Sequence, residues 1–257
     1  MKKKQLSYSI LSPSSVVSTL TTFALLVTTP LAFSASPISK VSEVQGVAIN
    51  EKNKIFYIEN NKLETKDGKL TTIETKYISE DSTVLAEMKA DLSKNSYLPD
   101  LTMKDFRDGY EYAIKYLPED KKVKISQKNG AKSEWDSKLI NFKENMTNSV
   151  GLMNYIRDHA LDLKKEKQKV FRYIIPSRQD DYGMVVKFKS QDKNLLKFNF
   201  EIENFLIRSL AGSGENLIVF DTDTSRITQF EGIAVLLDDN DKGVKVNLSY
   251  STIKEEK

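Results

Sequence analysis

Asn216-Leu-Ile-Val-Phe-Asp-Thr-Asp-Thr-Ser-Arg-Ile-Thr-Gln-Phe-Glu-Gly232 decides the fold class of this chain. Four apolar residues, Leu217 to Phe220, run straight into Asp221-Thr222-Asp223-Thr224. Two architectures accommodate such a run. In a parallel α/β sheet the strand would end at a phosphate site, with Asp221 attacking phosphorus and Asp223 serving as acid and base. In an antiparallel sheet the same side chains would satisfy the backbone of a hairpin turn. The residues C-terminal to the motif separate the two. Only 36 residues lie beyond Asp221, and they read as two alternating strands and a charged tail. A phosphate site at a βα turn needs a helix N-terminus, and no helical pattern comes after Thr224. Asp238-Asp239 imitates a late acidic pair, but no crossover helix positions it. The spacing therefore predicts a hairpin in which Asn216–Phe220 pairs with Arg226–Leu237.

The rest of the chain agrees. Val84, Ala86, Met88 and Ala90 alternate with Leu85, Glu87, Lys89 and Asp91. Leu196, Phe198, Phe200 and Ile202 alternate with polar residues, as do Val244, Val246, Leu248 and Tyr250. Period two with one wet face is the antiparallel pattern. Asp67-Gly68 and Asn129-Gly130 are dipeptides that suit two-residue hairpin turns, since both positions need φ > 0. Pro99 to Phe106 reads as irregular. One segment breaks the period: from Thr147, Leu152, Met153, Ile156, Ala160 and Leu163 fall on one helical stripe. Asn148 or Ser149 can cap its start, and Lys164, Lys165 and Lys167 suit its C-terminal dipole. The expected fold is α+β but mostly β: a strongly curved antiparallel meander sheet of about twelve strands, half-barrel-like. The helix, near residues 148–166, lies in its concavity.

Met1-Lys2-Lys3-Lys4, the apolar and Thr-rich run from Val16 to Thr29, and Ala32-Phe33-Ser34 are ordered as the three regions of a secretory signal peptide. Cleavage between Ser34 and Ala35 is expected, leaving a single mature domain, 35–257, in a bacterial periplasm. The apolar run is too short and too rich in Ser and Thr to span a bilayer. Residues 1–34 hold three lysines and no acid, so the remainder balances 36 basic against 36 acidic groups. A neutral chain has no basic surplus for nucleic acid or an anionic membrane. With no cysteine there is no disulfide, no thiol nucleophile, no Cys-based metal site and no lipoprotein anchor.

Few constellations carry chemistry. His159 is the only histidine, and no Gly-x-Ser-x-Gly elbow accompanies it, so it reads as a helix-flank residue. Asp238-Asp-Asn-Asp-Lys-Gly243 places Lys242 and Ser249 where a calcium loop needs oxygen ligands and a bidentate Glu. No metal or cofactor is expected. Phe106, Asp108, Tyr110, Tyr112 and Ile114 share one strand parity. If that face is inward, Asp108 is a semi-buried carboxylate with Arg178 as its candidate partner.

Leu98-Pro-Asp-Leu-Thr-Met-Lys-Asp-Phe-Arg-Asp-Gly-Tyr110, Gly151-Leu-Met-Asn-Tyr-Ile-Arg157 with Ile175-Pro-Ser-Arg178, and Phe220 to Gly232 together resemble a set of secreted bacterial proteins of unknown function. A many-stranded sheet around a helix is also distantly similar to the periplasmic lipoprotein-localisation carriers (LolA/LolB-like), which hold acyl chains on a half-barrel's concave face. That similarity implies a lipid or other apolar ligand on the concave face. Asp108, Tyr110, Tyr112, Arg178, Phe198 and Phe200 are its candidate contacts, with Tyr57 and Tyr77 adding to the aromatic excess. The alternative is an envelope protein that engages a protein partner over a filled core. A phosphatase using Asp221 and Asp223 is the reading ranked last, and no catalytic residue is assigned.

Overall fold

The computed structural model describes residues 39–204, 216–238 and 242–255. The expected export signal and the loop tip 239–241 lie outside the described residues. The first half of the chain is β1 (Ser39–Asn50), β2 (Ile55–Lys66), β3 (Lys69–Ile78), β4 (Val84–Asp91), β5 (Asp100–Asp105), β6 (Tyr110–Leu117), β7 (Lys122–Asn129) and β8 (Asp136–Asn141). A two-residue β9 (Met146–Thr147) precedes the helix α1 (Ser149–Glu166). Then come β10 (Gln168–Ile175), a 3-10 turn (Pro176–Arg178), β11 (Asp180–Asp192), β12 (Leu195–Ile202), β13 (Asn216–Asp221), β14 (Arg226–Leu237) and β15 (Gly243–Glu255).

All fifteen described strands form one open, curved sheet in the order β8-β7-β6-β5-β4-β3-β2-β1-β15-β14-β13-β12-β11-β10-β9. Every pairing is antiparallel except β9 with β10. The expected mostly-β meander with one inner helix is borne out. Two of the strands beyond the expected twelve or so are hidden in the sequence. Pro99–Phe106 is not irregular: β5 buries Leu101, Met103 and Asp105, and the charge on Asp105 hides the alternation. β9 is too short to show a period.

The strand order constrains the curvature. β8 and β9 are the two edges of the sheet, yet only residues 142–145 join them. Fifteen strands laid flat would span about 67 Å at the usual ~4.8 Å spacing. Five residue steps reach at most about 18 Å. The sheet must therefore curl until its edges nearly meet. Two ion pairs stitch the seam: Lys138 Nζ to Asp180 Oδ2 at 2.9 Å, and Lys143 Nζ to both Asp181 oxygens at 3.0 Å.

The turns divide. Asp67 and Gly68 both take positive φ (51° and 76°), as their two-residue hairpin requires. Asn129-Gly130 does not form that turn: Asn129 ends β7, and the chain runs through 130–135 before β8 begins.

The core lies on the inner face. Leu152, Ile156, Ala160 and Leu163 of α1 pack on Phe171, Val186, Leu196, Phe198 and Ile218. A second cluster joins β3–β8 to Met146, Val150 and Ile174. A third joins Ala48, Tyr57, Tyr77 and Ala86 to Ala234 and Leu236 of β14.

Candidate functional site

Strand register builds the site. Tyr250, Gly46, Glu59, Tyr77, Ala86 and Asp105 lie directly opposite one another across β15, β1, β2, β3, β4 and β5. The neighbouring inner row is Val44, Asn61, Thr75, Met88, Met103 and Tyr112. Gly46 keeps its row open: a Cβ there would sit 2.9 Å from both Tyr250 and Leu248 side-chain atoms. The Tyr250 ring thus crosses β1, and its hydroxyl donates to Glu59 Oε2 at 3.2 Å.

Between these rows and α1 lies a cavity of about 550 Å³. Its walls are mainly apolar, with Leu63, Ile73 and Met88 from the sheet, Leu152 and Met153 from α1, and Phe230 from β14. Glu59, Tyr57, Tyr77 and Tyr250 form a polar and aromatic floor, while Asn154, Arg157 and Arg226 also line it.

Glu59 differs from the other buried acids. Asp105 is forked by Arg107, Nε to Oδ1 at 3.0 Å and Nη2 to Oδ2 at 2.5 Å. Asp181 holds Lys143 and Arg172. Glu201 accepts from Lys187 Nζ at 2.5 Å. Glu59 instead accepts from the neutral Tyr250 hydroxyl, with the neutral Asn61 and Tyr57 side chains beside it. Thr75 Oγ1 donates to Asn61 Oδ1 at 2.7 Å and orients that amide. Loss of hydration outweighs the lowering effect of these neutral neighbours and raises the Glu59 carboxyl from its ordinary value of 4.5 to about 7. Burial first, and the Glu59 charge second, hold the Tyr57, Tyr77 and Tyr250 hydroxyls well above their ordinary range.

The residues expected at the site separate. Phe200 lines the cavity, its ring 5.4 Å from Tyr173. Phe198 is wholly buried beneath α1. Tyr112 is on the inner face beside Met103, and Tyr110, half-buried, is 6.0 Å from it between ring centroids. The expected Asp108–Arg178 pair does not form. The chain turns between β5 and β6 at Gly109, φ 79°, so strand parity ends before Asp108. Asp108 is exposed and its carboxylate accepts from the Tyr110 N–H at 2.7 Å. Arg178 is exposed on the 3-10 turn. The buried, cation-paired carboxylates are Asp105, Asp181 and Glu201 instead. Glu59 was the residue missed. Its signal was present: Tyr57, Glu59, Asn61 and Leu63 share one parity, so an acid falls on an apolar row.

The two motifs with catalytic overtones are taken up in local contacts. Asp221 Oδ1 accepts from the Asp223 N–H and Asn194 Nδ2, each at 2.8 Å, and from the Thr224 N–H at 3.4 Å. The first of these bonds is the main reason its carboxyl titrates below the ordinary range. Phe220 and Asp221 pair with Ile227 and Arg226, the expected hairpin. His159 stacks on Tyr155 with centroids 4.4 Å apart, and its Nε2 meets the Tyr97 hydroxyl at 2.9 Å. Among the described residues no group of three or more His, Cys, Asp or Glu is placed to hold a metal ion. No helix among them is long and apolar enough to cross a membrane.

No family model and no curated protein matches the chain. Among solved structures it is similar to a beta-barrel-like protein of the domain of unknown function DUF1849 from Brucella abortus, at 9% identity and a TM-score of 0.45. That match covers 86% of this chain and 97% of the other. It also matches a domain described as an outer membrane lipoprotein-sorting protein from Vibrio parahaemolyticus, at 10% identity and a TM-score of 0.24. There the coverage is 85% of this chain and 84% of the other. At these values neither neighbour's role transfers to this chain.

The arrangement can hold a molecule. It offers a mostly apolar chamber with one carboxyl on its floor that gains and loses a proton near neutrality.

Proposed function

We propose that this protein binds a lipid or another apolar molecule between α1 and the concave face of its sheet, without catalysis, in the bacterial periplasm. The cavity of about 550 Å³ is the observation that carries this reading. Each methylene moved from water into such a site gains about 0.8 kcal/mol, so an alkyl chain of modest length binds usefully. Asp221 is committed to its turn and His159 to an aromatic stack, which supports binding over reaction. The ordered basic, apolar and small-residue regions of 1–34 support export, with 35–257 as the mature domain. The alternative, an envelope protein with a filled core and a protein partner, has no comparable observation behind it.

Native mass spectrometry of the protein purified from a bacterial periplasm tests the reading. A co-purifying apolar molecule is expected. Met153→Trp, which enlarges a side chain lining the cavity from α1, should weaken its binding by about 5- to 150-fold, since overfilling a site costs about 1–3 kcal/mol. Protein that carries nothing, and takes up no alkyl probe when offered one, would end the proposal.

A further inference from the structure

Glu59 and Asn154 are buried polar residues that line the cavity from the sheet and from α1. Asn154 Nδ2 donates to the Ser96 carbonyl at 3.0 Å, which fixes the orientation of the amide. Its Oδ1 is buried with no hydrogen-bond partner among the described residues, and the residue lines the cavity from α1. That oxygen is sealed from the cavity, so the polar group that faces a ligand there is Glu59. On the sheet side, Glu59 is the buried acid whose hydrogen-bond partners are all neutral. A buried charge without a counter-ion is costly. Tyr57, Tyr77 and Tyr250 surround it, and tyrosine faces attract cations.

We propose, building on the apolar-ligand reading, that the cavity selects amphiphiles with a protonated amine, whose ammonium group meets the Glu59 carboxylate on the cavity floor while the alkyl chain lies along the apolar wall. An ammonium is the simplest group that supplies both a positive charge and several donors. The other charged groups facing the cavity are already engaged. Arg157 donates to Asp158 Oδ1 through Nε at 3.0 Å and Nη2 at 2.9 Å. Arg226 donates to the Thr252 hydroxyl. The remaining titratable groups around Glu59 are the hydroxyls of Tyr57, Tyr77 and Tyr250, all neutral near pH 7 because burial raises them.

Calorimetric titration of the full mature chain with dodecylamine, dodecanol and dodecanoate decides the matter. At about pH 8.5, where Glu59 is ionised, dodecylamine should bind at least about tenfold more tightly than dodecanol, the gain of one charge-assisted contact. At about pH 5.5, where the floor is neutral, that preference should shrink several-fold while dodecylamine itself stays charged. The pH comparison uses the unaltered protein and needs no variant to fold. Glu59→Gln should remove the preference for the amine over dodecanol at both pH values. Dodecanol or dodecanoate binding as well as the amine would overturn the amine selectivity while leaving the apolar-ligand reading intact. A preference that survives in Glu59→Gln would also overturn it. Binding of none of the three would overturn both.

Discussion

Glu59 makes a prediction that does not depend on any ligand. In the fold it keeps its proton up to about pH 7, whereas its ordinary value is 4.5. Between those values the native state binds more protons than the unfolded chain, so stability falls as pH rises, and the fall is complete above about pH 7. The shift corresponds to at most about 3 kcal/mol. Gln at this position cannot ionise. Urea unfolding midpoints between about pH 5 and 8 should fall for the unaltered protein and stay flatter for Glu59→Gln, with the variant gaining relative stability towards pH 8. Parallel profiles would mean that Glu59 is solvated and ionised throughout. At this scale the sequence was partly legible. Asp221 was readable because its role is local: three bonds within its own hairpin and to Asn194. Asp108 was misread because parity counting assumed an unbroken strand, and Gly109 turns the chain first. Glu59 lay on a visible parity, but Tyr250 reaches it from β15 across β1, a pairing no local pattern identifies.

The helix was legible almost to the residue, and its anchoring was not. The stripe from Leu152 to Leu163 and the capping Asn148 are local features. Asn148 does more than cap: Oδ1 accepts from the Gly151 N–H at 2.9 Å while Nδ2 donates to the Pro99 carbonyl at 2.9 Å. Asn148→Ala therefore loses a cap worth about 1 kcal/mol and leaves a buried carbonyl unpaired for about 1 more. A loss of about 2 kcal/mol in chemical denaturation is expected, and a loss below about 0.5 would mean that the start of α1 is not held this way. Gly151 sets two effects against each other. Helix propensity favours Gly151→Ala by about 1 kcal/mol. A Cβ there, however, would stand 2.0 Å from the Tyr97 carbonyl oxygen, which is backbone and cannot swing aside. The clash should prevail, destabilising the variant by about 1–3 kcal/mol. A raised melting temperature for Gly151→Ala would contradict that close approach. The contact joins residues far apart in sequence, so composition and periodicity carry no trace of it.

Across the whole molecule the expected curved meander held because period-two alternation and hairpin turns are repeated signals, and repetition tolerates a missed strand. Closure was the part that could not be read. It depends on the four residues joining β8 to β9 across the two edges of the sheet, and their importance appears only once β1 is seen to pair with β15. The curl brings charged side chains from both edges into reach, and burial decides which of them matter. Lys138 and Asp180 are both about half exposed (47% and 46%), and such a pair contributes at most about 1 kcal/mol. The Asp181 side chain is 4% exposed and serves Lys143 from the joining segment as well as Arg172 from β10. Its Lys143 and Arg172 partners remain reachable by water, so removing the acid should cost less than breaking a wholly buried pair. Asp181→Ala is expected to lose about 2 kcal/mol, and Lys138→Ala less than about 0.5. Hydrogen exchange should locate the Asp181→Ala effect: amides of β8 and β10 should open faster, while those of β2 and β3, remote from the seam in strand order, keep their protection relative to global unfolding. Uniform acceleration across all strands would assign Asp181 to the general core, and no acceleration at all would show that the 142–145 connection closes the sheet unaided.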